Sequence, residues 1–207
     1  MNKRYYEIEI FGDEFNQLDK GIYPSIAEMP DEYNTEYLWI TSDGEKIPLE
    51  EWPEDLFFKL KQDVTRDTCL YNLSRWLLFN NELCDNIKKA NITGFQFLPV
   101  KVYDMKGKII PDYGTVANVD NNSDCMDLDK SIYLTYRKFY GKESSIPQIS
   151  SDRIVHLKKL VLKKEKLPET NIFKLGNMVR VITDEKFVNL FTSHNYTGLS
   201  FKEVEVI

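Results

Sequence analysis

Four aspartates within ten residues, Asp120, Asp124, Asp127 and Asp129, come closest in type and spacing to a chemical site. Paired carboxylates can act as general acid and base in hydrolysis, and clustered ones can hold calcium. The passage lacks the glycine and the closing glutamate of an EF-hand loop, which argues against calcium. The two histidines, His156 and His194, have no partner at metal-ligand spacing. The three cysteines, Cys69, Cys84 and Cys125, contain no Cys-x-x-Cys pair and make no even set for disulfides. They read as buried thiols in a reducing compartment. No nucleophile elbow, dinucleotide fingerprint or phosphate loop is present. The expectation is a chain that is not an enzyme, with no cofactor and no metal. A carboxylate-dependent hydrolase using residues 120–129 is the enzymatic alternative.

The surrounding chain is large enough to position such residues. It has 207 residues, 42% of them hydrophobic, with twelve Phe and twelve Tyr, enough to build a core. No apolar run reaches the ~20 residues of a membrane span. Lys3 and Arg4 are followed by Glu7 and Glu9 rather than an apolar stretch, so no secretory signal is read and a cytoplasmic location is expected. The net charge is −6, unevenly spread. Residues 1–67 hold 17 Asp/Glu and 7 Lys/Arg, whereas residues 68–207 hold 16 and 20. An acidic field repels nucleic acid and membrane surfaces and steers basic partners.

Tyr6, Ile8 and Ile10 alternate as in a strand with one buried face. Residues 12–36, with Gly12, Gly21, Pro24 and Pro30, read as loops. Residues 37–40 read as a short strand followed by a turn at 42–45, and residues 49–61 as a short helix with Pro53 near its first turn. Residues 132–136 and 154–162 read as strands, the second with a solvated lysine face, and residues 141–152 as a mobile loop.

An internal repeat is the strongest organising feature. Residues 80–100 and 184–204 align without a gap, sharing Asn-x-Thr-Gly-x-x-Phe at Asn91 and Asn195. Each copy predicts a helix, a tight turn and a strand. Asn80 or Asn81 and Thr183 or Asp184 are suitable N-caps. Leu83, Ile87 and Ala90 share one helical face, as do Phe187, Leu190 and Phe191. Gly94 and Gly198 fall where the chain must leave the helix. The expected fold class is α+β and pseudo-symmetric, with two related helix-turn-strand units packed with a mixed or antiparallel sheet. The expected organisation is an acidic β-rich region over 1–67 and an α+β region over 68–207, in one continuous globular unit.

The passage Tyr113–Val119 leads into Cys125-Met126-Asp127-Leu128-Asp129-Lys130-Ser131. It is followed by His156-Leu157-Lys158-Lys159-Leu160-Val161-Leu162, Asn171-Ile172-Phe173-Lys174-Leu175, Val181-Ile182-Thr183-Asp184 and Tyr196-Thr197-Gly198-Leu199-Ser200-Phe201. This ordered run, clearest over residues 70–207, resembles a family of bacterial polymorphic-toxin immunity proteins of myxobacterial type. It departs from that pattern at Met126, where Leu is usual, and at Lys174-Leu175-Gly176, where Arg-Lys-Gly is usual. The resemblance implies an antitoxin that inhibits a cognate toxin in the cytoplasm during bacterial competition, with type VI secretion among the delivery routes. The acidic third then suggests a basic effector domain as partner, a nuclease being one class, with no nucleic acid or membrane partner. Oligomeric state is left open. The expected partner-binding residues are Asp13, Glu14, Glu28, Asp31, Glu32, Glu36, Asp43 and Glu45, with Tyr33 and Trp39 as aromatic anchors. A structural or assembly protein, suggested by the repeat, is the remaining alternative.

Overall fold

The computed structural model describes residues 3–9, 27–28, 46–60, 68–71, 77–142, 152–176 and 180–207. Among them 42% lie in strands and 20% in helix. The fold is therefore mostly β, and the expected pseudo-symmetric α+β arrangement of helix-turn-strand units is not its architecture. The physical reason lies in element length. Helices α1 (Asn81–Lys89) and α3 (Glu185–Ser193) have nine residues each, and α2 (Tyr136–Tyr140) has five. Elements so short cover part of a sheet but cannot form a layer of their own.

A six-stranded sheet runs in the order β12-β15-β1-β14-β13-β9. Its members are β1 (Tyr5–Glu9), β9 (Asn122–Ser123), β12 (Val161–Leu162), β13 (Ile172–Leu175), β14 (Val181–Asp184) and β15 (Ser200–Val206). A four-stranded antiparallel sheet runs β4-β5-β8-β6, from β4 (Cys69–Tyr71), β5 (Leu77–Asn80), β6 (Phe95–Pro99) and β8 (Tyr113–Val119). A third sheet joins β2 (Ala27–Glu28), β3 (Phe57–Leu60) and β7 (Lys101–Tyr103). A two-stranded arm pairs β10 (Ile132–Thr135) with β11 (Ile154–Lys159), and α2 follows β10 directly.

Several local expectations are corrected here. Where a helix was expected at 49–61, residues 49–60 form a 3-10 turn at Leu49–Glu51 and then strand β3. The alternating burial of Phe58 and Leu60 is a strand pattern, and β3 pairs in parallel with β7. Strand β1 is buried on both faces rather than one. It lies between β14 and β15, with Tyr5 in one apolar cluster and Ile8 in another. Glu7 is buried beside Arg180, whose guanidinium donates to its carboxylate. The strand and turn expected at 37–40 and 42–45, and residues 143–151 of the loop expected at 141–152, lie outside the described residues.

The main core joins β5, β8 and β13 to α1 and α3. Phe79, Phe187 and Phe191 are buried there, with the Phe187 ring 5.6 Å from Phe95 and 6.0 Å from Phe201. Two backbone turns lock this core. After α1 the Thr93 carbonyl accepts from the Ile172 N–H at 3.2 Å, and after α3 the Thr197 carbonyl accepts from the Cys69 N–H at 3.0 Å. Gly94 and Gly198 sit at φ +101° and +98°, and a Cβ on either would come within 2.1 Å of the facing carbonyl oxygen. Only glycine meets both demands.

Cys84 faces this core, and burial raises its thiol to about 11, outweighing the hydrogen bond to Thr115 and the charge of Lys88. The folded state therefore favours the neutral thiol. That contribution is present below the unfolded pKa of ~8.5 and is lost as pH rises through about 11. Alkylation of Cys84 by iodoacetamide at pH 8 should run roughly 100-fold slower in native protein than in denatured protein. Mass spectrometry of quenched samples measures it, and equal rates would show an accessible thiolate.

Candidate functional site

A cleft of about 870 Å³ opens between the arm and the six-stranded sheet. Tyr133 and Ile154 line it from the arm, and Ser123 and Leu175 from the sheet. Arg137, Arg153, Lys163 and Lys166 line the same cleft together with Asp124, Asp129 and Asp152.

The four aspartates do not act together. Asp127 is buried, and its Oδ1 accepts from the backbone N–H groups of Asp129 at 2.9 Å and Lys130 at 3.0 Å. Burial pushes its carboxyl up. The two N–H donors, with the charges of Lys163 and Lys130, outweigh that and hold it below the usual carboxylate range. An acid held ionised in a turn is a structural group, not a proton donor poised near neutrality. Asp120 forms an ion pair with Lys46 at 3.6 Å. Asp124 and Asp129 are exposed on the cleft. Among the described residues no group of three His, Cys, Asp or Glu could hold a metal ion. His194 caps the end of α3, with Nδ1 3.0 Å from the Leu190 carbonyl and its ring stacked on Tyr196. His156 lies on the arm, its ring 6.2 Å from Phe139.

The outer side of the arm carries a different kind of surface. Ile132, Leu134, Phe139, Tyr140 and Val155 are all exposed. Leu134 pairs across the strands with His156, on which Phe139 packs, and Phe139 meets Tyr140 at 4.9 Å. Tyr140 in turn packs against Tyr136, ring centroids 4.5 Å apart and tilted by 42°. The inner residues Ile154 and Leu157 pack against the buried Phe173 and Leu162 cluster, which anchors the arm. The sequence holds a signal for this surface in Tyr136-Arg137-Lys138-Phe139-Tyr140, aromatics interleaved with cations. The strand expected at 132–136 ends at Thr135 because this short helix begins there.

Of the ten expected contact residues, Glu28 lies on strand β2, whose register sets it opposite Lys59. Asp13, Glu14, Asp31, Glu32, Tyr33, Glu36, Trp39, Asp43 and Glu45 lie outside the described residues. No helix among the described residues is long and apolar enough to cross a membrane.

The described residues thus form a β framework with Asp127 held in a turn, Asp120 in an ion pair, and exposed apolar side chains on the arm. The chain matches the model of the Immunity protein family (Imm11) over residues 5–206, and it belongs to that family. The match takes in β1 and the acidic third, beyond the resemblance seen over 70–207. No curated protein matches the chain. Membership identifies a toxin-neutralising immunity protein, in a family that is generally non-enzymatic.

Proposed function

We propose that this protein neutralises its cognate toxin by covering the toxin's active site or a neighbouring surface, with no bond made or broken by its own side chains. The family match over residues 5–206 carries this reading. The dispersal of Asp120, Asp124, Asp127 and Asp129 supports it against a carboxylate hydrolase, since Asp127 is committed to a backbone turn. The complex works in the cytoplasm, where an incoming toxin meets its target. A standard-size interface of ~1,600 Å² in total would suffice. The acidic third supplies part of it, through Asp13, Glu14, Glu28, Asp31, Glu32, Glu36, Asp43 and Glu45, with Tyr33 and Trp39 as anchors. Such a face mimics a polyanion and suits the basic site of a nuclease.

Co-expression of the chain with the toxin domain encoded beside it should restore growth, and the two should co-purify. Failure of both would end the reading. Reversing Asp13, Glu14, Glu36 and Asp43 should weaken binding at least ~10-fold at low salt and flatten its salt dependence. Unchanged affinity and slope would remove the acidic third from the interface.

A further inference from the structure

We infer that the outer side of the β10–α2–β11 arm is a second toxin-contact surface, and that it fits an acidic, apolar-centred patch on the toxin. This inference rests on the immunity reading above.

Five of the exposed large hydrophobic residues, Ile132, Leu134, Phe139, Tyr140 and Val155, lie on this arm. Ile132 and Leu134 follow one another on the outward face of β10, and Leu134, His156, Phe139 and Tyr140 continue the ridge by direct pairing and ring contact. Soluble proteins seldom leave contiguous apolar surface exposed without a binding role. The fold does not require these residues, because Ile154 and Leu157 on the other side already attach the arm to the core. The arm is also braced. The Tyr136 N–H donates to the Arg153 carbonyl at 2.8 Å, and Lys159 pairs with Glu205 at 2.8 Å. A braced ridge loses little entropy on binding.

Charge selects the occupant. Residues 132–159 contain six Lys/Arg and two Asp/Glu in a chain whose net charge is −6. Lys142, Lys158 and Lys159 are exposed beside the ridge, Lys159 in an ion pair with Glu205, whereas Arg137 and Lys138 line the cleft on the other side of the arm. An apolar, aromatic centre inside a charged rim is the anatomy of a protein interface. The rim is basic, so the matching surface is acidic. The arm therefore meets a part of the toxin opposite in charge to the part that meets residues 1–67. A toxin must present both signs in the right relative placement, which makes the pairing selective.

The test uses the full chain and the toxin domain encoded beside it, by calorimetry at two salt concentrations. Phe139→Ser with Tyr140→Ser should weaken binding roughly 100-fold with a melting temperature within about 2 °C of the parent. Lys142→Glu with Lys158→Glu keeps the ridge, and should weaken binding about 10-fold at low salt and reduce the salt slope. Lys106→Glu with Lys108→Glu, in the exposed turn after β7, should bind as the parent does. Parent-like affinity and salt slope in both arm variants, with growth rescue intact, would overturn the arm surface and leave the immunity reading standing. No binding by the parent chain would overturn both. The arm proposal also fails if toxin affinity is unchanged while the variants lose binding to phosphatidylglycerol vesicles or single-stranded RNA, or lose self-association in sedimentation.

Discussion

Asp184→Ala should destabilise the protein by about 3 kcal/mol, the loss of a helix cap together with buried donors left without an acceptor, with a fall of roughly 6–12 °C in melting temperature. The Asp184 carboxylate is fully buried and serves four donors. Its Oδ1 accepts from the Lys186 N–H at 3.0 Å and the Phe187 N–H at 3.4 Å, capping α3. Its Oδ2 accepts from Asn171 Nδ2 and Lys3 Nζ, both at 2.6 Å. Burial lowers the Lys3 pKa, but the hydrogen bond and charge of Asp184 outweigh it and raise the ammonium above its ordinary value. Alanine would strand the Asn171 amide and two helix N–H groups beneath a sheet. Asp184→Asn keeps a capping oxygen but sets one amide NH2 against another, so an intermediate loss of about 2 kcal/mol is expected. Urea denaturation of the three proteins measures the series. A loss below about 1 kcal/mol for the alanine variant would show that the site relaxes around the gap.

Gly94→Ala should cost about 3 kcal/mol, at the upper end of ordinary single substitutions. Two penalties coincide at this residue. Its φ of +101° is strained for any L side chain, and the new Cβ would meet the Ile172 carbonyl oxygen at 2.1 Å. Backbone cannot swing aside as a side chain can. Separating the strands would weaken the bonds from Thr93 to Asn171 and Ile172, including the Thr93 N–H to Asn171 Oδ1 bond at 2.9 Å. Gly107→Ala separates the two penalties, because Gly107 has φ +81° with nothing within 4 Å. It should cost only about 1 kcal/mol. Equal losses at the two glycines would show that backbone strain alone, not the close approach of β13, sets the cost.

These two sites show what a local reading can reach. Asp184 before Glu185 and Phe187 is legible as an N-cap, and Gly94 as the exit from a helix, because both depend on residues within one turn of the chain. The partners that make these residues costly to replace were not legible. Lys3 is nearly the whole chain away from Asp184, and Ile172 lies 78 residues from Gly94. The aspartate-rich passage illustrates the same limit. Composition placed Asp120, Asp124, Asp127 and Asp129 together, yet Asp127 is drawn inward by the N–H groups of its own turn, Asp120 is held by Lys46, and Asp124 and Asp129 stay exposed. Within the acidic balance of residues 1–67, Glu7 does not reach the surface, because it is buried against Arg180.

The sequence by itself determined the short-range features: the ends of α1 and α3, the two glycine turns, the family likeness, and most of the strand character of 132–136 and 154–162, although the second breaks at Leu160 into β11 and β12, which join different sheets. Each is written in a window of a few residues, where propensity and period act. The mostly-β architecture was decided by tertiary structure. Strand β1 takes its neighbours from β14 and β15 at the far end of the chain, and no local pattern encodes such pairing. The arm's outer surface belongs to the same class. Periodicity tells which residues share a face, but whether another element covers that face depends on packing. Here the core closes over Ile154 and Leu157 and leaves Ile132, Leu134 and Phe139 outside.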